Sequence, residues 1–174
     1  MKYSQNLYYM NLLGRFILIY YGYILFIEGN DRSMLCSKIL VAYDESELAL
    51  KSLEKAIELA KLDPAIEIQV LHAVTLPIKP SIYGSAFQEI EESMLKHGKE
   101  VIKKAEALLS EIPNASQTFV VEGSAITTLL DHVKSENCDL IIMGSRGLSG
   151  FKEFLGSVSH YIVQHSPVPV LLVK

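Results

Sequence analysis

From Lys38 to the C-terminus, short apolar runs alternate with stretches of helical periodicity, and few architectures accommodate that alternation. Five runs read as strands, at residues 38–43, 66–74, 116–122, 139–143 and 168–173. The stretches at 46–61, 86–112, 124–135 and 150–165 read as helices, while 75–85, with two prolines and a glycine, reads as a loop. The strand runs are nearly continuous in apolar residues, as expected where both faces of a sheet are covered. The spacing therefore predicts a doubly wound α/β fold: a five-stranded parallel sheet, order 3-2-1-4-5, with helices on both faces. In the long second helix, Phe87, Ile90, Met94, Val101, Ala105, Leu108 and Ile112 form one stripe that reads as core packing. Gly98 falls in the same stripe and marks a close approach of helix to sheet.

In such a fold, ligands bind beyond the carboxyl ends of the strands, where the strand order reverses. Two chain segments would meet there. One is Ala42-Tyr43-Asp44-Glu45-Ser46 after the first strand; the other is Met143-Gly144-Ser145-Arg146-Gly147 after the fourth, followed by Gly156-Ser157-Val158-Ser159. Glycines between a buried strand and a helix let the backbone approach a ligand and leave N–H groups pointing outward, an arrangement suited to phosphate oxygens. The same glycines also make an ordinary turn. Asp44 can bond a ligand hydroxyl, or cap the first helix, as can Ser46. Arg146 matches phosphate geometry, or is a solvated loop arginine. Ser157 and Ser159 either cap the fourth helix or present hydroxyl and N–H groups to a phosphate. There is no Gly-x-Gly-x-x-Gly after the first strand and no Gly-x-x-x-x-Gly-Lys-Ser/Thr loop, which disfavours a dinucleotide fingerprint and a P-loop.

Residues 34–174 resemble the universal stress protein family. The resemblance rests on Lys38-Ile-Leu-Val-Ala-Tyr-Asp44-Glu-Ser46, Leu71-His72-Ala73-Val74, Val121-Glu122-Gly123, Gly144-Ser-Arg-Gly147 with Gly156-Ser157-Val158-Ser159, and Pro167-Val-Pro-Val-Leu-Leu-Val173. It implies an ATP-binding regulatory domain of the stress response, with Mg2+ as an optional companion of the nucleotide. On this resemblance Asp44 contacts the ribose and Val41 or Ala42 lies near the base. Ala73 lines the adenine pocket, and Met143 and Gly144 border the nucleoside. Gly147, Gly156, Ser157, Val158 and Ser159 cradle the phosphates. The family pattern has nine residues between its second and third glycines; Leu148 to Leu155 supplies eight. Within a helix that loss rotates everything after it by about 100°, whereas a loop absorbs it, and Gly150 lies in the stretch.

The formal charge of −4 and the lack of any Lys/Arg cluster argue against a nucleic-acid partner. Cys36 and Cys138 have no metal or redox spacing and read as reduced thiols of a cytoplasmic protein. The five histidines are scattered, and no metal site is expected. No nucleophile–base pair is visible, and one carboxylate at Asp44 does not make an ATPase. The expectation is a nucleotide-binding regulator rather than an enzyme, with a slow ATP hydrolase or a dimeric interaction module without nucleotide as alternatives.

Residues 1–33 differ in character from the rest. Tyr3, Tyr8, Tyr9, Tyr20, Tyr21 and Tyr23 are six of the nine tyrosines, and the segment from Leu7 to Ile27 is apolar and about as long as a bilayer span. It reads as an extension translated from a misassigned start upstream of Met34, or as a membrane anchor that would tether the 34–174 domain. The last strand, Val168 to Val173, is apolar and should be the sheet edge, since Pro169 is tolerated only at an edge or strand start. Self-pairing of that edge across a two-fold axis, which the resemblance also implies, predicts a homodimer, the alternative being a short edge covered by the first 33 residues.

Overall fold

The computed structural model describes residues 8–12, 15–20, 23–28, 36–77, 84–148 and 155–174, with residues 8–28 and 84–86 described by their backbone alone. The alternation predicted from Lys38 onward is present. Strands β4 (Lys38–Ala42), β5 (Glu67–Val74), β6 (Ser116–Glu122), β7 (Leu140–Gly144) and β8 (Val170–Val173) are interleaved with helices α1 (Glu47–Ala60), α2 (Gly84–Leu109), α3 (Ala125–Ser135) and α4 (Ser157–His165). The five strands are mutually parallel and lie in the order β6-β5-β4-β7-β8, the predicted 3-2-1-4-5.

The alternation of side chains along each strand sorts the core into two layers. Ile39, Val41, Ile68, Val70 and Ile142 pack with Ala49, Leu53 and Ala56 of α1 and Val101, Ile102 and Ala105 of α2. Leu40, Leu71, Ile141, Met143 and Leu172 face the other way, against Leu129 and Val133 of α3 and Ile162 of α4. Gly98 is the point at which α2 comes closest to the sheet: a Cβ there would lie 2.8 Å from Val74 Cγ2, 3.0 Å from Val120 Cγ1 and 3.2 Å from His72 Cδ2. Ile90, expected in the buried stripe, is half exposed near the start of the helix. At the opposite end of the sheet from the glycine segment, buried Asn114 donates through Nδ2 to the carbonyls of Ala60, Asp63 and Ile66 at 2.9–3.0 Å, fastening the α1–β5 connection.

The apolar N-terminal stretch forms three short strands: β1 (Tyr8–Leu12), β2 (Arg15–Tyr20) and β3 (Tyr23–Glu28), joined as an antiparallel meander. Among the described residues no helix is long and apolar enough to cross a membrane. The tyrosines and β-branched residues of the stretch favour extended backbone, and Gly14 and Gly22 fall between the strands in the sequence. The meander continues the sheet beyond β8, with Ile24 opposite Leu172 and Leu25 opposite Leu171, antiparallel. The edge expected to be bare, and to be offered to a second copy, is therefore paired within the chain. Pro169 immediately precedes β8, and its carbonyl accepts from the N–H of Ile141 at 3.0 Å.

A polar network is also set into this apolar frame. Gln69 is fully buried; its Oε1 accepts from His132 Nε2 at 2.7 Å and its Nε2 donates to Glu67 Oε1 at 2.9 Å. Because an amide oxygen only accepts, this contact puts a proton on His132 Nε2. Burial lowers the His132 pKa from its ordinary 6.5, Lys38 acting in the same sense and Glu136 against it. A histidine with a depressed folded-state pKa contributes stability that is fully present above about pH 6.5 and is lost as pH falls below it. Urea midpoints measured between pH 8 and 5 should fall more steeply for the native chain than for His132→Gln; identical slopes would contradict this assignment. The free thiols Cys36 and Cys138 are also buried, and burial pushes each up to about 11.

Candidate functional site

The chain runs from β4 outward through β5 to β6, then returns to the far side of β4 to make β7 and β8. The strand order reverses between β4 and β7, whose last register partners are Ala42 and Met143. A cavity of about 570 Å³ opens above them, within the size range of small-molecule sites. Its floor is Ala42, Leu71, Ala73 and Met143, residues of the sheet face turned toward α3 and α4, and Ala125 and Leu129 of α3 close one side. Tyr43, Asp44, Gly144, Arg146, Gly147 and Leu148 form the rim, which continues through Leu155, Gly156, Ser157, Val158 and Ser159 at the start of α4.

The segment after β4 is held from both sides. Tyr43 donates its N–H to Leu71 O at 2.9 Å, and its carbonyl accepts from His72 Nδ1 at 2.9 Å. Ser46 is the helix cap: its Oγ accepts from Ala49 N at 3.1 Å. Asp44 does not cap α1 itself. Its Oδ1 accepts from the Ser46 hydroxyl at 2.5 Å and from the Ser46 N–H at 3.2 Å, which turns Oδ2 toward Gly147. The neighbouring Glu45 is tied to α2, accepting from Lys104 Nζ at 3.1 Å and facing His97 Nε2 at 3.1 Å. The Lys104 hydrogen bond holds its carboxyl below the usual range.

On the opposite wall, the backbone of Gly147 lies so close to Asp44 that a Cβ on it would stand 2.5 Å from Oδ2. Gly144 is equally constrained: a Cβ there would lie 2.8 Å from both Arg146 O and Leu48 Cβ. The Ser145 carbonyl anchors the rest of the turn, accepting from Gly156 N at 2.8 Å and Ser159 Oγ at 2.7 Å, while Ser145 N donates to Val173 O at 2.8 Å. Gly156 is the N-cap of α4 and no side chain caps the helix. The N–H groups of Ser157, Val158 and Ser159 therefore have no partner in the helix's own ladder and carry its positive end, a combination that favours an anion. Among the described residues no group of three or more His, Cys, Asp or Glu could hold a metal ion.

All the residues singled out from the sequence border this cavity except Val41. Val41 is fully buried in the layer facing α1 and α2; its neighbour Ala42 has the opposite phase and reaches the floor. The Ser159 hydroxyl is also turned away, spent on the carbonyls of Ser145 and Gly156, so what Ser159 offers a ligand is its N–H. The fourth helix begins at Ser157 rather than at residue 150, and Leu155, expected on its inner side, is a partly exposed rim residue. Residues 149–154 of the eight-residue spacing, with Phe151 and Phe154 expected on the same side, lie outside the described residues. Sequence reasoning missed Tyr43, Ala49, Leu71, His72, Ala125, Leu129 and Leu148 as lining residues. The period of two that places Ala73 in the floor also places Leu71 there; nothing comparable in the sequence points to Ala125 and Leu129.

A cavity at the reversal of a doubly wound parallel sheet, rimmed by an aspartate, close-packed glycines and an open helix N-terminus, defines a small α/β binding domain of the nucleotide-site type. The family model described as "Universal stress protein family" matches residues 36–174, and the chain belongs to that family. It is 35% identical over 147 residues to the universal stress protein YxiE of Bacillus subtilis, covering 79% of this chain and 99% of that one. The universal stress protein UspA from Lactobacillus plantarum superposes with a TM-score of 0.72 at 22% identity, covering 79% of this chain and 97% of its own. A universal stress protein family protein from Arabidopsis thaliana, solved with AMP bound, superposes with a TM-score of 0.61 at 22% identity, covering 79% and 91%.

Proposed function

We propose that this chain is an ATP-binding regulatory protein of the stress response, holding the nucleotide above the ends of β4 and β7. The observation that carries the reading is the pairing of Gly147 with Asp44 beside the open N-terminus of α4. The 2.5 Å from a Cβ on Gly147 to Asp44 Oδ2 leaves room for backbone only, so the carboxylate and the phosphate-type cradle share one rim. The AMP carried by the Arabidopsis relative supports an adenine nucleotide as the ligand. Ala42 and Ala73 receive the base on the apolar floor, with Met143 and Gly144 bordering the nucleoside. Asp44 accepts a hydrogen bond from the ribose, and the N–H groups of Gly147 and of Ser157 to Ser159 face the phosphates, with Gly156 setting their approach. Arg146 pairs with phosphate oxygens, and Mg2+, when present, is carried by the nucleotide. The binding unit is residues 34–174, with residues 1–33 an extension to it, in the cytoplasm.

Among the described residues that line the cavity, Asp44 is the one carboxylate, and one carboxylate favours binding and orientation over hydrolysis. The alternatives are a slow ATP hydrolase and a homodimeric interaction module without nucleotide. Mass analysis of small molecules released from the purified chain, followed by calorimetric titration with ATP, ADP and AMP, tests the reading. Saturable, near-stoichiometric binding of ATP without phosphate release is the expected result. Steady phosphate release would move the chain to the hydrolase class, and no saturable nucleotide binding would leave the interaction module. Homodimerisation through Val168 to Val173 is proposed only for a form of the chain whose β8 edge is not taken by β3.

A further inference from the structure

We propose that the N-terminal meander is a built-in occupant of the β8 edge. Its pairing with β8 and the pairing of two copies through β8 are then mutually exclusive, and displacing it converts a monomer into a β8-to-β8 dimer. The inference is independent of the nucleotide reading, because it concerns the far edge of the sheet and is read as an assembly state.

The inner edge of β8 is bound to β7 from Val170 to Val173. The outer edge has one set of N–H and C=O groups to give: Leu171 turns its own toward β7, between the Ile141 N–H that reaches Pro169 O and the Ser145 N–H that reaches Val173 O, so Leu172, opposite Ile24 of β3, is the residue that faces outward. A partner strand arriving antiparallel along β8 would need the same groups. Without the meander this edge is short, uncharged and apolar from Val170 to Val173, the kind that recruits another strand. The meander's own pairing is longer than its contact with β8: five partner pairs join β1 to β2 and six join β2 to β3, whereas two join β3 to β8. It is thus a unit that can leave the edge without first being dismantled. β1–β3 lie before residue 36, where the family match begins, so this occupant is not part of what the family shares.

Tethering decides which partner holds the edge. A strand joined to the domain through residues 29–35 is present at an effective concentration on the order of millimolar, so at tens of micromolar it outcompetes a second copy of similar intrinsic affinity by roughly a hundredfold. The full chain is therefore monomeric at such concentrations. Its outer sheet edge is β1.

Two experiments on the full-length chain test the proposal. In the first, Leu25→Cys and Leu171→Cys are combined and the protein is oxidised at tens of micromolar. The native Cys36 and Cys138 are buried, with thiols pushed up to about 11, and do not compete. A disulfide closed within one chain, migrating as a monomer on a non-reducing gel, is expected. A bond formed only between chains, or none at all, overturns the proposal. In the second, Ile24→Pro removes the N–H of β3 that faces Leu172 and weakens its seat on β8. Sedimentation equilibrium should show the native chain as monomer and the variant as predominantly dimer, whereas reduced and then reoxidised crosslinked chain remains monomer. A native chain that is already dimeric, or an Ile24→Pro variant that stays monomeric while the oxidised pair does too, overturns it.

Discussion

Gly147→Val should lower ATP affinity by roughly two decades while leaving the domain folded. The first atom of the new side chain would stand 2.5 Å from Asp44 Oδ2, so the carboxylate must leave its place, and the branched carbons beyond it fill the space a ligand needs. Asp44→Ala alone removes a charge-assisted hydrogen bond worth about 1.5–3 kcal/mol, which is about one to two decades in affinity. The two changes act on one contact, so they should not add: on the Asp44→Ala background, Gly147→Val should cost distinctly less than it does in the native chain. The effect on melting should stay within about 1 kcal/mol, the worth of a helix cap, because Asp44 also steadies Ser46 at the start of α1. Titration of the native chain, both single variants and the double variant is decisive. Full additivity would separate Gly147 from Asp44, and unchanged affinity throughout would move the nucleotide elsewhere.

Gly98→Leu should be the most destabilising single exchange on the helices. A Cβ at this position already meets Val74 Cγ2 at 2.8 Å and Val120 Cγ1 at 3.0 Å, and a leucine must place three further carbons in the same gap. Either α2 lifts from β5 and β6 or those valines leave their rotamers. Overpacking of this kind costs about 1–3 kcal/mol and occasionally more; at the upper end, a domain of this size loses roughly 6–12 °C in melting temperature. Gly98→Ala should be far milder, since about 1 kcal/mol of helix propensity offsets the smaller clash. Adding Val74→Ala to Gly98→Ala opens the space directly, and the pair should melt above Val74→Ala alone. Gly98→Leu melting with the native chain would show that α2 does not sit on the sheet as described.

Gly98 was legible because a glycine inside an apolar helical stripe has few other reasons to be there. The order of the five parallel strands was legible for a related reason: buried strands separated by amphipathic helices leave one compact way to cover both faces. The phase of β4 was not. Ile39, Leu40 and Val41 are all fully buried, so hydrophobicity does not tell which of them faces α1 and α2 and which faces α3; assigning the base to Val41 or Ala42 was therefore ambiguous until the sheet was seen. The start of α4 was hidden in the same way. Phe151, Phe154 and Leu155 continue a helical spacing into a stretch whose last two residues, Leu155 and Gly156, are outside the helix. The N-terminal segment carried a stronger misdirection, because an apolar run of bilayer length and an apolar run cut into three strands share one composition. The roles of Asp44 and Ser46 were each readable, but not their division. That the serine caps while the aspartate positions it depends on a single rotamer.

The walls of the cavity come from parts of the chain as far apart as Ala42 and Ser159, brought together only by the assembled sheet. A ligand that needs all of those walls binds the folded chain and not the unfolded one. At a hundred times its dissociation constant such a ligand adds about 2.7 kcal/mol to the stability of the whole domain, a sizeable share of the 5–15 kcal/mol typical of domains. The survival of the protein against unfolding and proteolysis then follows the concentration of its ligand. If that ligand is the proposed nucleotide, the amount of this chain in a cell becomes a record of nucleotide supply.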